Sequence, residues 1–199
     1  MKKFLEVSAL FIALISVAAA CGGDSHPDDP GDTCPSTLPE CSESGGAPCR
    51  DPESGLVWSE KAEKMTWEDA KSHCTDLNSS NYCGFSSGWH LPMISELRTL
   101  LQECPATQMP PAEGVDACAV RSDEGNVCLS SACWSESTCY SCSYDPESSH
   151  SKFGDIEWFW SSSLISDNLG MAWLVGFDFG FVGNSTIEEM GFHYVRCVR

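Results

Sequence analysis

Cysteine content restricts the fold of this chain more than any other feature, because 13 cysteines lie along its 199 residues. An odd number of cysteines cannot all pair, so at least one is expected to serve another purpose. Disulfides persist in oxidising spaces outside the cytoplasm, and small exported domains depend on them. We therefore expect an exported chain whose domain is stabilised by disulfides.

The amino terminus has the layout of a secretory signal peptide over residues 1–20. Two lysines precede an apolar run, and small residues follow it. Glu6 and Ser8 interrupt the run, which is shorter than the ~20 apolar residues that span a bilayer. The sequence therefore predicts a signal peptide and not a membrane-spanning helix.

Cys21 directly follows the small residues "AAA", and this arrangement resembles the lipobox of bacterial lipoproteins. The resemblance implies that Cys21 is acylated, which leaves an even number of cysteines free to pair. Gly22 stands where an aspartate would favour the inner membrane, so the resemblance implies the outer membrane or cell surface, with the lipid as the membrane contact. The alternative is an ordinary signal peptide with a cysteine beside its cleavage site by chance.

Residues 21–47 are rich in Gly, Pro, Ser and Asp and hold almost no large apolar side chains. Such a stretch buries too little surface to offset the entropy that ordering would remove. It predicts a flexible acidic tether, which a Cys34–Cys41 disulfide would close into a loop.

The chain is strongly acidic, with a formal net charge of -18. This charge repels nucleic acid and anionic polysaccharides such as sulfated glycans, so neither class is an expected partner. Solubility of an exported protein explains an acidic surface more simply than a specific cationic partner does.

The length of residues 48–199 is the usual size of one domain and predicts a single domain over this range. The sequence "MTWEDAKSHCTDL" predicts a first helix with Thr66 as its N-cap and acidic residues in its first turn. The inward face of this helix would carry Trp67, Ala70, Cys74 and Leu77.

A second helix is predicted after Pro92, through "MISELRTLLQEC", and later segments are strand-like. The buried face of the helix would carry Ile94, Leu97, Leu101 and Cys104. The strand-like runs are "WFWSSS", "MAWLVGFDFG" and "HYVRCVR". Apolar residues occupy both alternating sets up to Phe177, which predicts a strand covered on both faces. Early helices and late strands predict an α+β fold with two helices on a small, mostly antiparallel sheet.

Residues 105–155 form a cysteine-rich insertion with few aliphatic side chains. We expect disulfides to hold it, and we expect the core to stay folded when a short linker replaces residues 106–150. Four cysteines have nearly the spacing of a zinc ribbon: Cys128, Cys133, Cys139 and Cys142. In an exported chain, disulfides are the favoured use of these cysteines.

Six motifs resemble the Lcl C-terminal domain family, which is similar to the Fibrobacter major paralogous domain. They are "GLVWSE", "TWEDAKSHC", "GWHLPMISEL", "FWSSS", "AWLVGFDFG" and "YVRCVR". In the motif that typically begins W-R-L-P-T, His90 replaces arginine and Met93 replaces threonine, whereas the terminal V-R-C-V-R matches fully. The resemblance covers residues 55–101 and 158–199 and leaves the insertion unexplained.

The same resemblance implies a C-type-lectin-like fold. In that fold a cysteine of an early helix bonds to a cysteine of the last strand, which here implies a disulfide between Cys74 and Cys197. Both cysteines also lie at inward-facing, apolar positions of their predicted elements.

No group that carries catalysis, a metal or a cofactor is expected. The serines at 161–163 lie outside a G-x-S-x-G context and predict hydrogen bonding within a strand. No two histidines form an i, i+4 pair, and the calcium-lectin strings E-P-N and W-N-D are absent. A faint likeness of "WHLPMISEL" to formylglycine-generating enzymes leaves an enzyme as the least favoured alternative, because Cys197 stands alone near the C terminus.

Seven aromatic residues offer either a sugar-binding platform or a core, and the core is favoured for so small a sheet. They are Trp158, Phe159, Trp160, Trp173, Phe177, Phe179 and Phe181. We expect a non-catalytic surface module that binds an extracellular glycan or protein, with its ligand and ligand-binding residues unknown. The alternative is a structural, envelope-associated lipoprotein without a discrete ligand.

Overall fold

A computed structural model describes residues 37–43, 48–123, 125–140, 142, 149–188 and 191–199. The signal peptide, Cys21, Cys34 and most of the predicted tether lie outside these residues, so the predictions made for them stay predictions. In this described part of the chain, no helix is both long and apolar enough to cross a membrane.

Short strands and helices alternate with long connections, and the long strands come last. The strands are β1 (Cys49–Arg50), β2 (Val57–Trp58), β3 (Ala62–Met65), β4 (Arg121–Asp123), β5 (Asn126–Cys128), β6 (Trp158–Ile165), β7 (Asn168–Gly176), β8 (Phe181–Thr186) and β9 (His193–Val195). The α-helices are α1 (Trp67–Ser79), α2 (Ile94–Arg98) and α3 (Glu136–Cys139). This is an α+β fold with helices packed on a mostly antiparallel sheet, as the sequence predicts.

The central sheet has five strands in the order β3-β9-β6-β7-β8. Every neighbouring pair in it is antiparallel except β9 and β6, which run parallel. Two small hairpins lie outside it, one formed by β1 and β2 and the other by β4 and β5. Trp58 of β2 also forms an antiparallel bridge to Val198, so the start and the end of the domain meet.

Helix α1 begins where the sequence predicts. The Thr66 hydroxyl accepts a hydrogen bond from the Asp69 backbone N–H at 3.2 Å, which caps one of the free N–H groups of the first turn. Trp67, Ala70 and Cys74 are buried on one face. That face packs under the sheet, where the Trp67 indole donates to the Ser161 carbonyl at 2.8 Å.

Helix α2 is shorter than the sequence predicts, because it ends at Arg98 and not near Cys104. Beyond it the backbone leaves the helix to pair with residues that lie far along the chain. Leu101 bridges Ser151, and the Gln102 N–H donates to the His150 carbonyl at 2.9 Å. The apolar residues of the predicted face are nevertheless buried, so the hydrophobic pattern survives the change of backbone conformation.

The two faces of the sheet are covered by different parts of the chain. On one face Trp160, Ala172 and Leu174 pack with α1. On the other face Trp173 and Val175 pack with α2 and with the cysteine-rich segment. Residues 172–177 are all buried, which confirms the predicted strand covered on both sides.

The cysteine-rich segment, residues 105–155, contributes to the hydrophobic core, and this corrects the expectation that disulfides alone hold it. Cys118, Val120, Cys139 and Phe153 all lie in the main buried cluster. The segment has few apolar residues, but those it has cover, together with α2, one face of the sheet. Replacing residues 106–150 with a short linker is therefore expected to expose the core.

Five disulfides are formed among the described cysteines: Cys41–Cys49, Cys74–Cys197, Cys104–Cys142, Cys118–Cys139 and Cys128–Cys133. Cys83 is disulfide-bonded as well. The pairing of Cys41 with Cys49 shows that the expected Cys34–Cys41 loop is wrong. The four cysteines with zinc-like spacing form disulfides, which confirms the favoured interpretation of them.

Part of the predicted tether, residues 37–43, packs against the domain. Leu38 and Cys41 contact the two core clusters, and the Arg50 N–H donates to the Pro39 carbonyl at 2.8 Å. The Cys41–Cys49 disulfide lies beside this contact because β1 runs next to the segment.

Candidate functional site

Most of the seven aromatic residues singled out in the sequence lie in the core. Phe159, Trp160, Trp173 and Phe177 are fully buried, and Phe181 is nearly so. The core interpretation is therefore confirmed for these five. Trp158 is different, because 39% of its surface is exposed.

All five strands of the central sheet begin or end on the side of the sheet where Trp158 lies. We call this side an edge, although strand ends form it and not an outer strand. Strands β6 and β9 are parallel, so both begin at this edge. Their antiparallel neighbours β3 and β7 end there, and β8 begins there. Side chains from widely separated parts of the sequence therefore meet at this edge.

These side chains form a groove of about 360 Å³, which we call the aromatic groove. Its lining residues are Lys64, Ile156, Glu157, Trp158, Phe192, His193 and Tyr194. Three of the apolar members are strongly exposed, namely Ile156 at 57%, Trp158 at 39% and Phe192 at 52%. Large apolar side chains grouped at the surface in this way are typical of binding sites.

Trp158 is held in a defined position. Its indole N–H donates to both carboxylate oxygens of Asp178, at 3.1 and 3.2 Å. The edge of Phe181 packs against it, with ring centroids 5.1 Å apart. Phe181 in turn lies against Gly176 and Gly183, where the Cβ of any larger residue would overlap its ring. The glycines of β7 and β8 thus make room for the ring that supports Trp158.

His193 lies between two indoles. Trp158 stacks on it at 5.9 Å between ring centroids, and Trp160 meets it edge-on at 4.6 Å. Its Nε2 atom is buried and has no hydrogen-bond partner among the described residues. Burial, assisted by the positive charge of Lys64, lowers the pKa of His193 to about 4. The ring is therefore neutral at neutral pH and acts as an aromatic surface.

The charges around the groove are mixed. Glu157 accepts a hydrogen bond from the ammonium of Lys61 at 2.8 Å. Lys64 lies over the ring of Tyr194 at 5.1 Å from its centroid and has no carboxylate within ion-pair distance in the described chain. A ligand in the groove therefore meets the Lys64 ammonium, which can donate hydrogen bonds to it.

A row of rings extends the groove along the same side of the sheet. Tyr140, from the end of α3, lies 5.5 Å from Phe179 and 5.4 Å from Phe181 between centroids. Phe181 then contacts Trp158, so aromatic side chains run from the cysteine-rich segment to His193. Tyr140 is 41% exposed, so the row reaches the surface at both ends.

A second cleft, of about 420 Å³, lies between α2 and the loop after β1. Its cations are already paired: Lys152 with Asp51 at 3.1 Å and with Glu53 at 2.6 Å, and Arg121 with Asp123 at 2.9 Å. A ligand would have to break these ion pairs, so the aromatic groove is the better candidate site.

The triple serine has a structural role, as the sequence predicts. The Ser161 hydroxyl donates to the Trp173 carbonyl at 2.7 Å, and the Ser163 hydroxyl accepts from the Ile94 N–H at 3.0 Å. The described residues also contain no group of three or more His, Cys, Asp or Glu side chains placed to hold a metal ion.

Sequence reasoning missed most of the groove. Lys64, Phe192 and His193 were not among the candidate ligand-binding residues, and only Trp158 was considered. The sequence offers one signal, since Phe192 and His193 stand directly before the terminal motif at the start of its strand. Their neighbours in the groove come from other segments, and no local pattern identifies those.

No curated protein matches the chain. The model of the Lcl C-terminal domain matches residues 48–199, which include the cysteine-rich segment that the individual motifs left out. With this match spanning well over half of its length, the chain belongs to the Lcl C-terminal domain family.

Proposed function

We propose that this protein is an exported, lipid-anchored binding module of the cell surface or outer membrane. It recognises an extracellular glycan or protein through the aromatic groove and has no catalytic activity. Its fold is C-type-lectin-like, with variable connections displayed on a scaffold tied by disulfides.

Both ends of the chain support the proposed location outside the cytoplasm. The amino terminus has the charge and hydrophobicity pattern of a signal peptide, followed by Cys21 at a lipobox-like position. At the other end, Cys197 is bonded to Cys74 across 123 positions of sequence. All cysteines in the described part of the chain are oxidised, which is typical of proteins outside the cytoplasm.

The observation that carries the binding proposal is the exposure of Trp158, at the start of β6, and of Phe192, directly before β9, in the lining of one groove. Exposed aromatic side chains cost solubility, and two of them are grouped with the exposed Ile156 in this one groove. Binding sites concentrate aromatic residues together with a few polar groups that orient the ligand, and Lys64 and Glu157 are such groups here.

The lectin-like fold is supported by the disulfide between α1 and the residues after β9 and by the pairing of Trp58 with Val198. A binding role fits the site better than catalysis does. Among the described residues that line the groove, His193 packs between two indoles and its Nε2 atom has no hydrogen-bond partner, and none of the lining residues is a serine, threonine or cysteine that could act as a nucleophile.

A glycan array and an array of extracellular proteins, probed with the purified full chain with and without calcium, test this proposal. The Phe192→Ala variant removes one exposed wall of the groove. Leu169→Ala is the matched control, because Leu169 is 65% exposed but lies at the opposite edge of the sheet. We expect the wild type and Leu169→Ala to bind the same partner and Phe192→Ala to lose it.

The competing hypothesis is a structural, envelope-associated lipoprotein that has no discrete ligand. It predicts no partner on either array, and that result would contradict the binding proposal. An enzyme related to formylglycine-generating enzymes predicts turnover of a peptide thiol, which a mass-spectrometric assay of the full chain would detect.

A further inference from the structure

We propose that the aromatic groove binds a neutral, β-linked pyranose chain of the glucose type, with a sugar ring packed against Trp158 and Phe192, which both line the groove. This inference rests on the proposed binding function and names the ligand class of the same site. Four features of the groove favour it: its aromatic walls, its polar rim, its charge and its size.

The walls fit a flat sugar ring. In β-linked glucose-type sugars the ring substituents are equatorial, so both faces of the ring present C–H bonds. Aromatic faces attract such C–H groups, since the π-system carries a negative quadrupole. Trp158 is held by Asp178 and Phe181, so it offers this surface without a large loss of side-chain entropy on binding.

The rim fits the hydroxyl groups of a sugar. Lys64 donates hydrogen bonds, and Glu157 accepts them, so a ring with hydroxyls around its edge satisfies both. An apolar peptide side chain would use the aromatic walls but would leave the hydrogen-bonding groups of Lys64 and Glu157 unused. The combination of aromatic walls and a rim of opposite charges therefore favours a sugar over an apolar peptide.

The charge of the site favours a neutral ligand. The carboxylates of Glu157 and Asp178 lie at the groove, and the whole chain carries a net charge of -18. These charges repel a sulfated or carboxylated polysaccharide over many ångströms. An uncharged chain with both donors and acceptors avoids this repulsion.

The size of the groove sets the length of the contact. Its volume of about 360 Å³ lies near the lower end of the roughly 300–1,000 Å³ that is typical of small-molecule sites. One or two sugar rings fill such a space, and the exposed ring of Tyr140 at the far end of the aromatic row gives further units of the chain a second contact.

Titration calorimetry of the purified full chain with cellohexaose and chitohexaose tests the inference, with heparin as an anionic probe. We expect both neutral hexasaccharides to bind and heparin not to bind. Loss of one stacking wall in Phe192→Ala is expected to weaken binding about tenfold, since an aromatic contact contributes about that factor. Lys64→Met is expected to weaken it as well, and Leu169→Ala is expected to bind like the wild type.

The outcomes separate this inference from the proposed function. If heparin or an extracellular protein binds, the neutral sugars do not, and Phe192→Ala abolishes the binding, the groove is a binding site but the ligand class is wrong. If neutral sugars bind equally well to Phe192→Ala, the assignment of the site is wrong. If neither the sugars, heparin nor any arrayed protein binds, the proposed function fails together with the inference.

Discussion

At the scale of single residues, Arg196 explains why the terminal motif carries an arginine before its cysteine. The Arg196 guanidinium donates to both oxygens of Asp155, at 2.8 and 3.1 Å, and to the Ser59 carbonyl at 3.0 Å. It also lies over the ring of Phe153 at 4.1 Å. Asp155 ends the cysteine-rich segment, so this buried ion pair joins that segment to the last strand.

Asp155→Ala is expected to lower the free energy of unfolding by about 3–5 kcal/mol, because it leaves the buried charge of Arg196 without its partner. Urea denaturation at pH 7 measures the change. Glu68→Ala is the control, since it breaks the exposed pair with Lys71 and is expected to cost at most about 1 kcal/mol. Equal costs for the two variants would show that the buried pair has no special role.

His193 makes the stability of the domain depend on pH. Its pKa is about 4 in the folded protein, whereas an unfolded chain has a histidine pKa near 6.5. Between these values the unfolded chain binds more protons, so the free energy of unfolding falls as the pH decreases from about 6.5 to about 4.

The His193→Phe variant, which keeps a ring between the two indoles, is expected to lose this part of the pH dependence. Urea midpoints of wild type and variant at pH 7 and at pH 4.5 provide the comparison. The wild type should lose more stability than the variant between the two pH values. An NMR titration that gives His193 an ordinary pKa near 6.5 would refute the explanation.

At the scale of elements, the cysteine-rich segment completes the cover of one face of the sheet beside α2. It supplies buried side chains, and its backbone also serves α2. The guanidinium of Arg98 is almost completely buried and donates to the carbonyls of Thr107 and Val120. The cysteine-rich segment and helix α2 therefore depend on each other, and neither packs properly alone.

A pair of valines in this segment tests that view. Val120 is fully buried, whereas Val127 is 71% exposed. Val120→Ala is expected to cost about 1–3 kcal/mol of stability through lost burial and the remaining cavity. Val127→Ala is expected to stay within about 0.5 kcal/mol of the wild type. Thermal or urea unfolding measures both, and a negligible cost at Val120 would restore the view of the segment as an appended loop.

The disulfide between Cys74 of α1 and Cys197 beside β9 closes the longest loop of the described pairs. A loop this long stabilises a domain by about 4–5 kcal/mol in the chain-entropy model. Cys197→Ser leaves an unpaired thiol among other disulfides and is expected to mispair and to express poorly.

The double variant Cys74→Ala, Cys197→Ala leaves no unpaired thiol, so it should express better than either single variant while remaining less stable than the wild type. Peptide mapping of the wild type without reduction provides the direct check. It should recover the peptide "SHCTDL" linked to "YVRCVR". A link from Cys197 to any cysteine of residues 105–155 would contradict the pairing.

At the scale of the whole molecule, the domain presents its groove at one edge of a sheet whose two faces are both covered. On the proposed function, the lipid at Cys21 attaches the domain to the membrane.

Cys21→Ser is expected to abolish acylation and to release the protein from the membrane fraction of the producing cell. Cell fractionation followed by immunoblotting measures the distribution. Cys128→Ser, which changes a cysteine of the domain, controls for the general effect of losing a thiol and should stay in the membrane fraction. A Cys21→Ser protein that still fractionates with membranes would show that the lipobox interpretation is wrong.

The sequence by itself determined the α+β class, helix α1 with its cap at Thr66, the doubly covered strand around Leu174 and the use of the cysteines in disulfides. These features depend on neighbours in sequence, on the period of apolar side chains and on cysteine chemistry, so a local pattern predicts them. The early end of α2 was not predictable, because Leu101 leaves the helix to pair with Ser151, which lies far along the chain.

Only the tertiary structure decided the role of the cysteine-rich segment and the place of the candidate site. Val120 is one valine among many polar residues, and only the packing of the segment beside α2 makes it part of the core. Lys64, Trp158 and His193 come from three distant segments, and the parallel pairing of β6 with β9 brings them to one edge. No local sequence pattern indicates that these residues lie together, because the pairing of strands is set by the packing of the whole domain.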